Sequence, residues 1–144
     1  MFARRIAAQL HDQPLSRRHP AADDRPAWLI DGSVVPAMQR AMSKDAGGLR
    51  DAHGLDSCAA ELASLAEVRS QRAGLEAWEA TNMMTVATAI VASARLREES
   101  RGAHWRDDFE GRRPEWQGHL IASHDDHGLR HEFVPVPDLV VAGR

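Results

Sequence analysis

The chain has 144 residues, a length that fits one ordinary domain and is short for two. Its 18 basic and 21 acidic residues give a formal net charge of -3, so no basic excess is present to neutralise nucleic-acid phosphates. No stretch approaches the roughly 18 apolar residues of a membrane span, and no apolar segment follows the early charges as in an export signal. Cys58 is the single cysteine, which excludes an intrachain disulfide and fits a reducing compartment. We therefore expect a cytoplasmic protein with neither a nucleic-acid nor a membrane partner.

The first 32 residues predict a short helix followed by a linker. Phe2, Ile6 and Leu10 lie four positions apart, which indicates an amphipathic helix within residues 1–12. Residues 13–32 contain three prolines, which prevent a continuous helix and indicate an irregular linker. The expected anchors of this linker are Trp28, Leu29 and Ile30.

Residues 33–116 predict three helices joined by short loops. The first begins at Ser33, a good N-cap, and runs toward Arg50, although Gly47 and Gly48 should weaken it. The second extends over residues 55–72 and the third over residues 75–100, where many alanines would let neighbouring helices approach closely. The predicted fold is therefore all-α, an antiparallel three-helix bundle of the spectrin-repeat kind. The side chains expected in its core are Met38, Met42, Leu55, Cys58, Leu62, Leu65, Trp78, Met83, Met84, Val86, Ala87, Ile90, Val91 and Ala94.

Residues 117–144 predict a β-hairpin and a tail. The runs 118–123 and 129–134 flank a five-residue loop, 124–128, that closes on glycine. Its sequence, His-Asp-Asp-His-Gly, is compatible with a metal site if His119 and His131 lie across the hairpin. We favour an ordinary polar turn, because no further ligands stand nearby with characteristic spacing.

The run from Arg97 to Phe109, Arg-Glu-Glu-Ser-Arg-Gly-Ala-His-Trp-Arg-Asp-Asp-Phe, is the most informative part of the chain. Ser100 and His104, with Asp107 or Asp108, have the residue types of a nucleophile and its base, but no oxyanion loop accompanies them. A capping and interface cluster is the interpretation we favour. Its basic side chains would either receive carboxylates from another domain or pair within the chain. The candidate interface residues are Glu99, Ser100, Arg101, His104, Arg106 and Asp108.

The same run resembles the Arg-x-Glu-Ser-Arg-Gly-x-His-x-Arg-x-Asp-Phe signature in the C-terminal helical domain of the succinate dehydrogenase and fumarate reductase flavoprotein superfamily. Within that superfamily, residues 78–83 (Trp-Glu-Ala-Thr-Asn-Met) and 35–42 (Val-Pro-Ala-Met-Gln-Arg-Ala-Met) look most similar to the L-aspartate oxidase family. The resemblance covers nearly the whole chain. It implies that residues 1–12 correspond to the last helix of the family's FAD-binding domain.

The resemblance implies that the complete enzyme oxidises L-aspartate to iminoaspartate with FAD, in de novo NAD biosynthesis. It also implies a structural and interface role for this chain, whose partners would be the FAD-binding and capping domains of the same enzyme. A homodimer is a further candidate assembly. No catalytic, cofactor-binding or metal-binding residue of the family falls on this sequence, so the chain alone should bind no FAD and catalyse nothing. The alternative is a free-standing helical interaction module that supports a separate flavoprotein subunit.

Overall fold

The structure is a computed structural model that describes residues 28–125 and 127–136. The predicted N-terminal helix, most of the linker and the end of the C-terminal tail lie outside the described residues. The elements are α1 (Val35–Asp45), β1 (Leu49–Arg50), α2 (Ala52–Ala66), α3 (Leu75–Leu96), β2 (Trp105–Arg106), β3 (Gly118–Asp125) and β4 (Gly128–Pro135). Three helices followed by a β-hairpin are what the sequence predicted. The finer description, a spectrin-repeat-like bundle, stays a prediction. None of the described helices is long and apolar enough to cross a membrane.

Helix α1 begins and ends at different residues from those the sequence predicted. Its entry is a 3-10 turn capped by Asp31, whose Oδ1 accepts the backbone N–H of Ser33 at 2.9 Å, so Ser33 is not the N-cap. The helix ends at Asp45 rather than near Arg50, because two glycines follow and have low helix propensity. The next residues join β1, which pairs in parallel with β2.

Helix α2 is capped by Asp51, whose Oδ1 accepts the backbone N–H of Gly54 at 2.6 Å. Its inward residues Leu55, Cys58 and Leu62 are buried as predicted. The helix ends at Ala66, six residues earlier than the sequence predicted. The residues that follow it pair instead with the linker: Asp31 N–H donates to Val68 O at 2.9 Å and Ser70 N–H to Leu29 O at 2.8 Å.

Helix α3 buries a narrower and smaller-residue face than the sequence predicted. Its core side is made of Ala77, Ala80, Met84, Ala87, Val91 and Ala94. The predicted core residues Trp78, Met83, Val86 and Ile90 are instead exposed, because residues 78, 86 and 90 lie on the side of the helix opposite Met84 and Val91 at 3.6 residues per turn. The core needs small side chains here, since alanines let α3 approach α1 and α2 closely.

The core is one cluster between the three helices, and it includes one of the predicted linker anchors, Ile30. Leu29 and Ile30 are 5% exposed, whereas Trp28 is 68% exposed and lies outside the core. Cys58 is a buried thiol whose Sγ lies 3.8 Å from the Sδ of Met42. The buried cluster comprises Ile30, Val34, Met38, Ala41, Ala46, Leu55, Cys58, Leu62, Ala80, Met84, Ala87, Val91 and Ala94.

The β3–β4 hairpin pairs further toward its turn than the sequence predicted. The antiparallel register extends from Gly118 opposite Pro135 to Asp125 opposite Gly128, so the predicted five-residue loop is wrong. Gly128 has a φ of +103°, which glycine adopts without strain. An isolated hairpin is marginally stable. This one contacts α3 through a hydrogen bond of 2.9 Å between Ser93 Oγ and His131 Nε2.

Candidate interdomain interface

The signature run folds back on itself immediately after α3. Arg101 and His104 exchange two backbone hydrogen bonds, of 2.8 and 3.0 Å. Gly102, with a φ of +60°, is the first central residue of that two-residue turn, a position that in a type II′ turn needs a left-handed backbone and therefore favours glycine. The turn returns the chain to β2, beside β1. The backbone conformation of this turn therefore explains why glycine occupies position 102 in the Ser-Arg-Gly-Ala-His run.

Glu99 is the buried centre of the run. Its carboxylate is fully buried and accepts N–H groups from the side chains of Arg97 (2.9 and 2.5 Å) and Arg101 (2.8 and 3.0 Å) and from the backbone of Arg113 (3.0 Å). Burial alone would raise the pKa of Glu99, but the hydrogen bonds from Arg101, Arg113 and Arg97 outweigh it and hold the pKa at about 2. Glu99 is therefore ionised at every physiological pH.

Arg97 extends this arrangement to the hairpin. It donates to Trp116 O at 2.6 Å and to Gly118 O at 3.3 Å, and its guanidinium lies 5.8 Å from the centre of the Trp116 ring. Trp116 in turn makes an edge-to-face contact with Phe133 of β4, with ring centres 5.6 Å apart. The Glu99 cluster therefore positions the hairpin relative to the end of α3.

Arg106 joins the ends of two helices. Its guanidinium is 2% exposed and donates to the carbonyl oxygen of Ala94 at 2.8 Å, in the last turn of α3. It also donates twice to Asp108, at 2.7 Å each, and Asp108 accepts the first backbone N–H of α2, from Ala52, at 2.9 Å. A cation at a helix C-terminus and an anion at a helix N-terminus both complement the helix dipole. The hydrogen bond between them raises the pKa of Arg106 and lowers that of Asp108.

Ser100 is a structural hydroxyl. It is 6% exposed, accepts the backbone N–H of Arg106 at 2.8 Å and donates to the carbonyl oxygen of the same residue at 3.2 Å. Both hydrogen-bonding capacities of the hydroxyl are therefore used by one peptide segment. Ser100 and His104 bond to different partners and not to each other, so this geometry gives the nucleophile interpretation no support.

His104 is fixed between two arginines. Its Nε2 lies 3.1 Å from Arg97 O and its Nδ1 lies 3.4 Å from a terminal nitrogen of Arg50. The carbonyl can only accept and the guanidinium can only donate, so the ring carries its proton on Nε2 and is neutral. Burial lowers the pKa of His104, and the positive charges of Arg50, Arg106 and Arg97 lower it further.

The six candidate residues thus fall into two groups. Glu99, Ser100 and Arg106 are buried inside this domain, whereas the side chains of Arg101, His104 and Asp108 are partly exposed. Of the two alternatives that the sequence left open for the basic side chains, the structure shows intrachain pairing. Arg101 pairs with Glu99, and Arg106 with Asp108.

An open cleft of about 830 Å³ lies between the second half of α3, the signature turn and β3. Arg50, Arg101 and His104 form its polar end, while Val86 and Ile90 of α3 are apolar and exposed. Among the described residues, the Arg50 side chain donates to the carbonyls of Ala46 and Ala103 and to the His104 ring, and burial lowers its pKa. No carboxylate lies within ion-pair distance of Arg50 in the part of the chain that the structure describes.

Two features of this surface escaped prediction from the sequence. Arg50 stood at the end of an expected helix and drew no functional interpretation. The outward apolar residues of α3 were assigned to the core, although the pattern held a usable signal. Alanines at 77, 80, 87 and 94 recur on the same side of the helix as Met84 and Val91, and these six residues together form the buried face.

The metal interpretation of the hairpin has no support among the described residues. His119 lies opposite Val134 and His131 opposite Ala122, so the two histidines do not face each other. No group of three or more histidine, cysteine, aspartate or glutamate side chains suited to a metal occurs within 28–125 and 127–136.

Residues 36–140 match the protein family described as fumarate reductase flavoprotein C-term. The chain belongs to this family. It is 35% identical to the L-aspartate oxidase of Streptomyces coelicolor over 84% of this chain and 24% of that protein. It is 32% identical to one of the subunits of the fumarate reductase (CoM/CoB) of Methanothermobacter marburgensis, over 84% of this chain and 26% of that one. The chain therefore spans about a quarter of the length of these curated relatives.

Among solved structures, part of FrdA of E. coli quinol fumarate reductase has the same fold as this chain. It superposes with a TM-score of 0.60 at 23% identity, over 94% of this chain and 24% of FrdA. Sdh1 of Mycobacterium smegmatis superposes with a TM-score of 0.57 at 22% identity, over 96% of this chain and 24% of that chain. The signature run thus identified the family, and the contacts of Glu99 and Arg106 show what its charged residues do inside the domain.

Proposed function

We propose that this chain is the C-terminal domain of an FAD-dependent flavoenzyme of the L-aspartate oxidase type. Its role in that enzyme is structural: it docks against the FAD-binding and capping domains and performs no chemistry of its own. The similarity to the S. coelicolor L-aspartate oxidase, over 84% of this chain, is the observation that carries this proposal.

The described residues do not fit the flavin itself. A dinucleotide's pyrophosphate binds where a strand runs into a helix N-terminus through a glycine-rich turn. Strand β1 does lead into α2, but two carboxylates already hold the N–H groups there, Asp108 on Ala52 and Asp51 on Gly54. Their negative charge would repel a pyrophosphate. Flavin chemistry therefore belongs to other domains of the proposed enzyme.

The buried polar groups of this domain support a structural role. Every buried side-chain nitrogen and oxygen within residues 28–125 and 127–136 has a hydrogen-bond partner. Buried polar groups that are all satisfied rigidify a fold and specify one arrangement. The inactivity of the chain alone stays a prediction, as does the interface role of Arg101, His104 and Asp108 at the surface of the cluster.

A chimera tests the proposal. The S. coelicolor L-aspartate oxidase would carry this chain in place of its own C-terminal quarter, and the truncated enzyme without that quarter would serve as the control. We expect the chimera to retain bound FAD and L-aspartate-dependent oxygen consumption, and the truncated enzyme to lose both. A chimera no better than the truncated enzyme would refute the proposed role.

The substrate of the natural enzyme requires a separate observation. The residues that choose between L-aspartate and fumarate lie on other domains, so the coding sequence upstream of this chain decides it. An in-frame dinucleotide-binding domain with L-aspartate oxidase activity is the expected result. An independent chain beside an unrelated gene would favour the free-standing interaction module instead. A cytoplasmic location stays a prediction.

A further inference from the structure

Arg50 has one guanidinium nitrogen that the described chain leaves unused. Its Nε donates to Ala46 O at 3.0 Å, and its Nη1 lies 3.4 Å from both Ala103 O and the Nδ1 of His104. Its Nη2 has no hydrogen-bond acceptor in the part of the chain that the structure describes. The other two nitrogens therefore hold the guanidinium in place, while Nη2 keeps its N–H groups available.

Arg101 provides a second unused nitrogen. Its Nε and Nη2 donate to Glu99 at 2.8 and 3.0 Å, and Nη2 also donates to Arg113 O at 3.3 Å. No acceptor for its Nη1 occurs among the described residues. Arg50 and Arg101 both line the cleft between α3, the signature turn and β3. Two guanidinium groups that the protein already positions therefore present free donors to one space.

The cleft carries an excess of positive charge. Three arginines line it, and none of its lining residues within the described ranges is an aspartate or a glutamate. Arg97 and Arg101 share the single carboxylate of Glu99, so the three cations have one anion among them. Burial lowers the pKa of Arg50, which shows that its charge is partly removed from water. An anion bound in the cleft would offset that cost.

One wall of the cleft is apolar. Val86 and Ile90, which lie one turn apart on α3, are 58% and 45% exposed, and Leu120 of β3 lines the same cleft. The distance from Val86 to Ile90 along the helix is about 6 Å at 1.5 Å per residue. The cleft volume of about 830 Å³ is within the range of about 300 to 1,000 Å³ that is typical of small-molecule sites.

We propose that this cleft binds a small organic carboxylate, whose oxygens accept from Arg50 and Arg101 and whose hydrocarbon part lies against Val86 and Ile90. A carboxylate has two oxygens, one for each unused nitrogen, and its hydrogen bonds to guanidinium groups are charge-assisted. A short alkyl chain is long enough to cover the apolar wall. The site goes beyond the proposed function and does not depend on it, because this chain alone supplies every contact.

Titration of the chain with hexanoate tests the site. Binding is followed at constant ionic strength by ¹H–¹⁵N NMR, through the Nε–H of Arg50 and the backbone amide of Ile90. The comparison probes are acetate, uncharged hexanamide and inorganic phosphate. We expect hexanoate to bind at least about tenfold more tightly than acetate, because each additional methylene should contribute about twofold when half-buried. Hexanamide has the same shape without the charge and should bind at least about tenfold more weakly than hexanoate.

Two variants, each with a matched control, test the two parts of the site. Arg50→Gln should weaken hexanoate binding at least about tenfold, because it removes a charge-assisted hydrogen bond; Arg40→Gln, at an exposed position on α1, should not. Ile90→Ser should bring the affinity for hexanoate close to that for acetate, whereas Val68→Ser, at a valine that is 44% exposed and outside α3, should leave it unchanged. Ile90 is an exposed side chain, so this variant keeps the test decisive if Arg50→Gln impairs folding.

Each part of the proposal can fail separately. Equal affinities for hexanoate and hexanamide would overturn the carboxylate contact, and equal affinities for acetate and hexanoate would overturn the apolar one. Phosphate binding more tightly than hexanoate would assign the cleft to an inorganic anion and overturn the organic ligand. Equal losses in Arg50→Gln and Arg40→Gln would indicate general surface charge and overturn the site. Absence of saturable hexanoate binding would overturn the whole proposal.

Discussion

Replacing Glu99 with glutamine tests whether the buried carboxylate holds this domain together. The environment of Glu99 lowers its pKa from 4.5 to about 2. Because each pKa unit corresponds to about 1.36 kcal/mol, the ionised carboxylate contributes about 3 kcal/mol to the free energy of unfolding at neutral pH. Glutamine keeps the shape but loses the charge, and it turns N–H groups toward the guanidiniums of Arg97 and Arg101. We expect the free energy of unfolding to fall by about 3 to 5 kcal/mol at pH 7.

The assay is urea unfolding of the isolated chain, followed by tryptophan fluorescence and far-UV circular dichroism from pH 7 to pH 2. The folded-state pKa of Glu99 is lowered, so its contribution is complete above pH 4.5 and is lost as the pH falls toward 2. The difference between wild type and Glu99→Gln should shrink over that window. Glu98→Gln is the matched control, because its pair with Arg113 is 3.4 Å long and exposed, and should cost less than about 1 kcal/mol. A difference that stayed constant down to pH 2, or equal losses in both variants, would refute the reasoning.

Three further substitutions or additions have defined expectations. Arg106→Met should destabilise the isolated chain by about 3 kcal/mol in the same urea assay, because it removes the donor to the Ala94 carbonyl at the end of α3 and leaves Asp108 without its cation; Arg95→Met, which breaks an exposed pair, should cost under about 1 kcal/mol. Gly118→Ala would place a methyl group 2.5 Å from the Phe133 ring and should lower the melting temperature markedly, whereas Gly48→Ala meets nothing within 4 Å and should not. Excess zinc should leave the melting temperature where magnesium at equal ionic strength leaves it, since a bound ion would stabilise the folded hairpin; a rise with zinc alone would restore the metal site.

The predictable part of the fold was its element order, and the errors lie at element ends. Hydrophobic spacing located α2 because Leu55, Cys58 and Leu62 recur at helical intervals. It failed at Arg50 and after Ala66, where backbone pairing with distant segments replaced the helix. Such pairing depends on residues more than 35 positions away, as in β1 with β2. Local propensity carries no information about it.

The sequence indicated which residues form the site, but it did not indicate which partners their side chains contact. The sequence drew attention to the charged residues from Arg97 to Asp108 and left open whether they pair within the chain or with another domain; the structure shows intrachain pairs of Arg101 with Glu99 and Arg106 with Asp108. Residue order alone could not tell which partners were internal. It also placed Val86 and Ile90 in the core, because apolar residues on both sides of α3 do not by themselves say which side packs on α1 and α2.

The contact of Asp108 with Ala52 joins positions 56 residues apart, and this separation has a consequence for the order of folding. Closing so long a loop costs conformational entropy that a single pair of side chains cannot offset. The helices between them must therefore associate first, and the Glu99 and Arg106 contacts should form after the rate-limiting step. In stopped-flow experiments, Glu99→Gln and Arg106→Met should accelerate unfolding and leave the refolding rate nearly unchanged. The residues that identify this family would then mainly slow the unfolding of the domain.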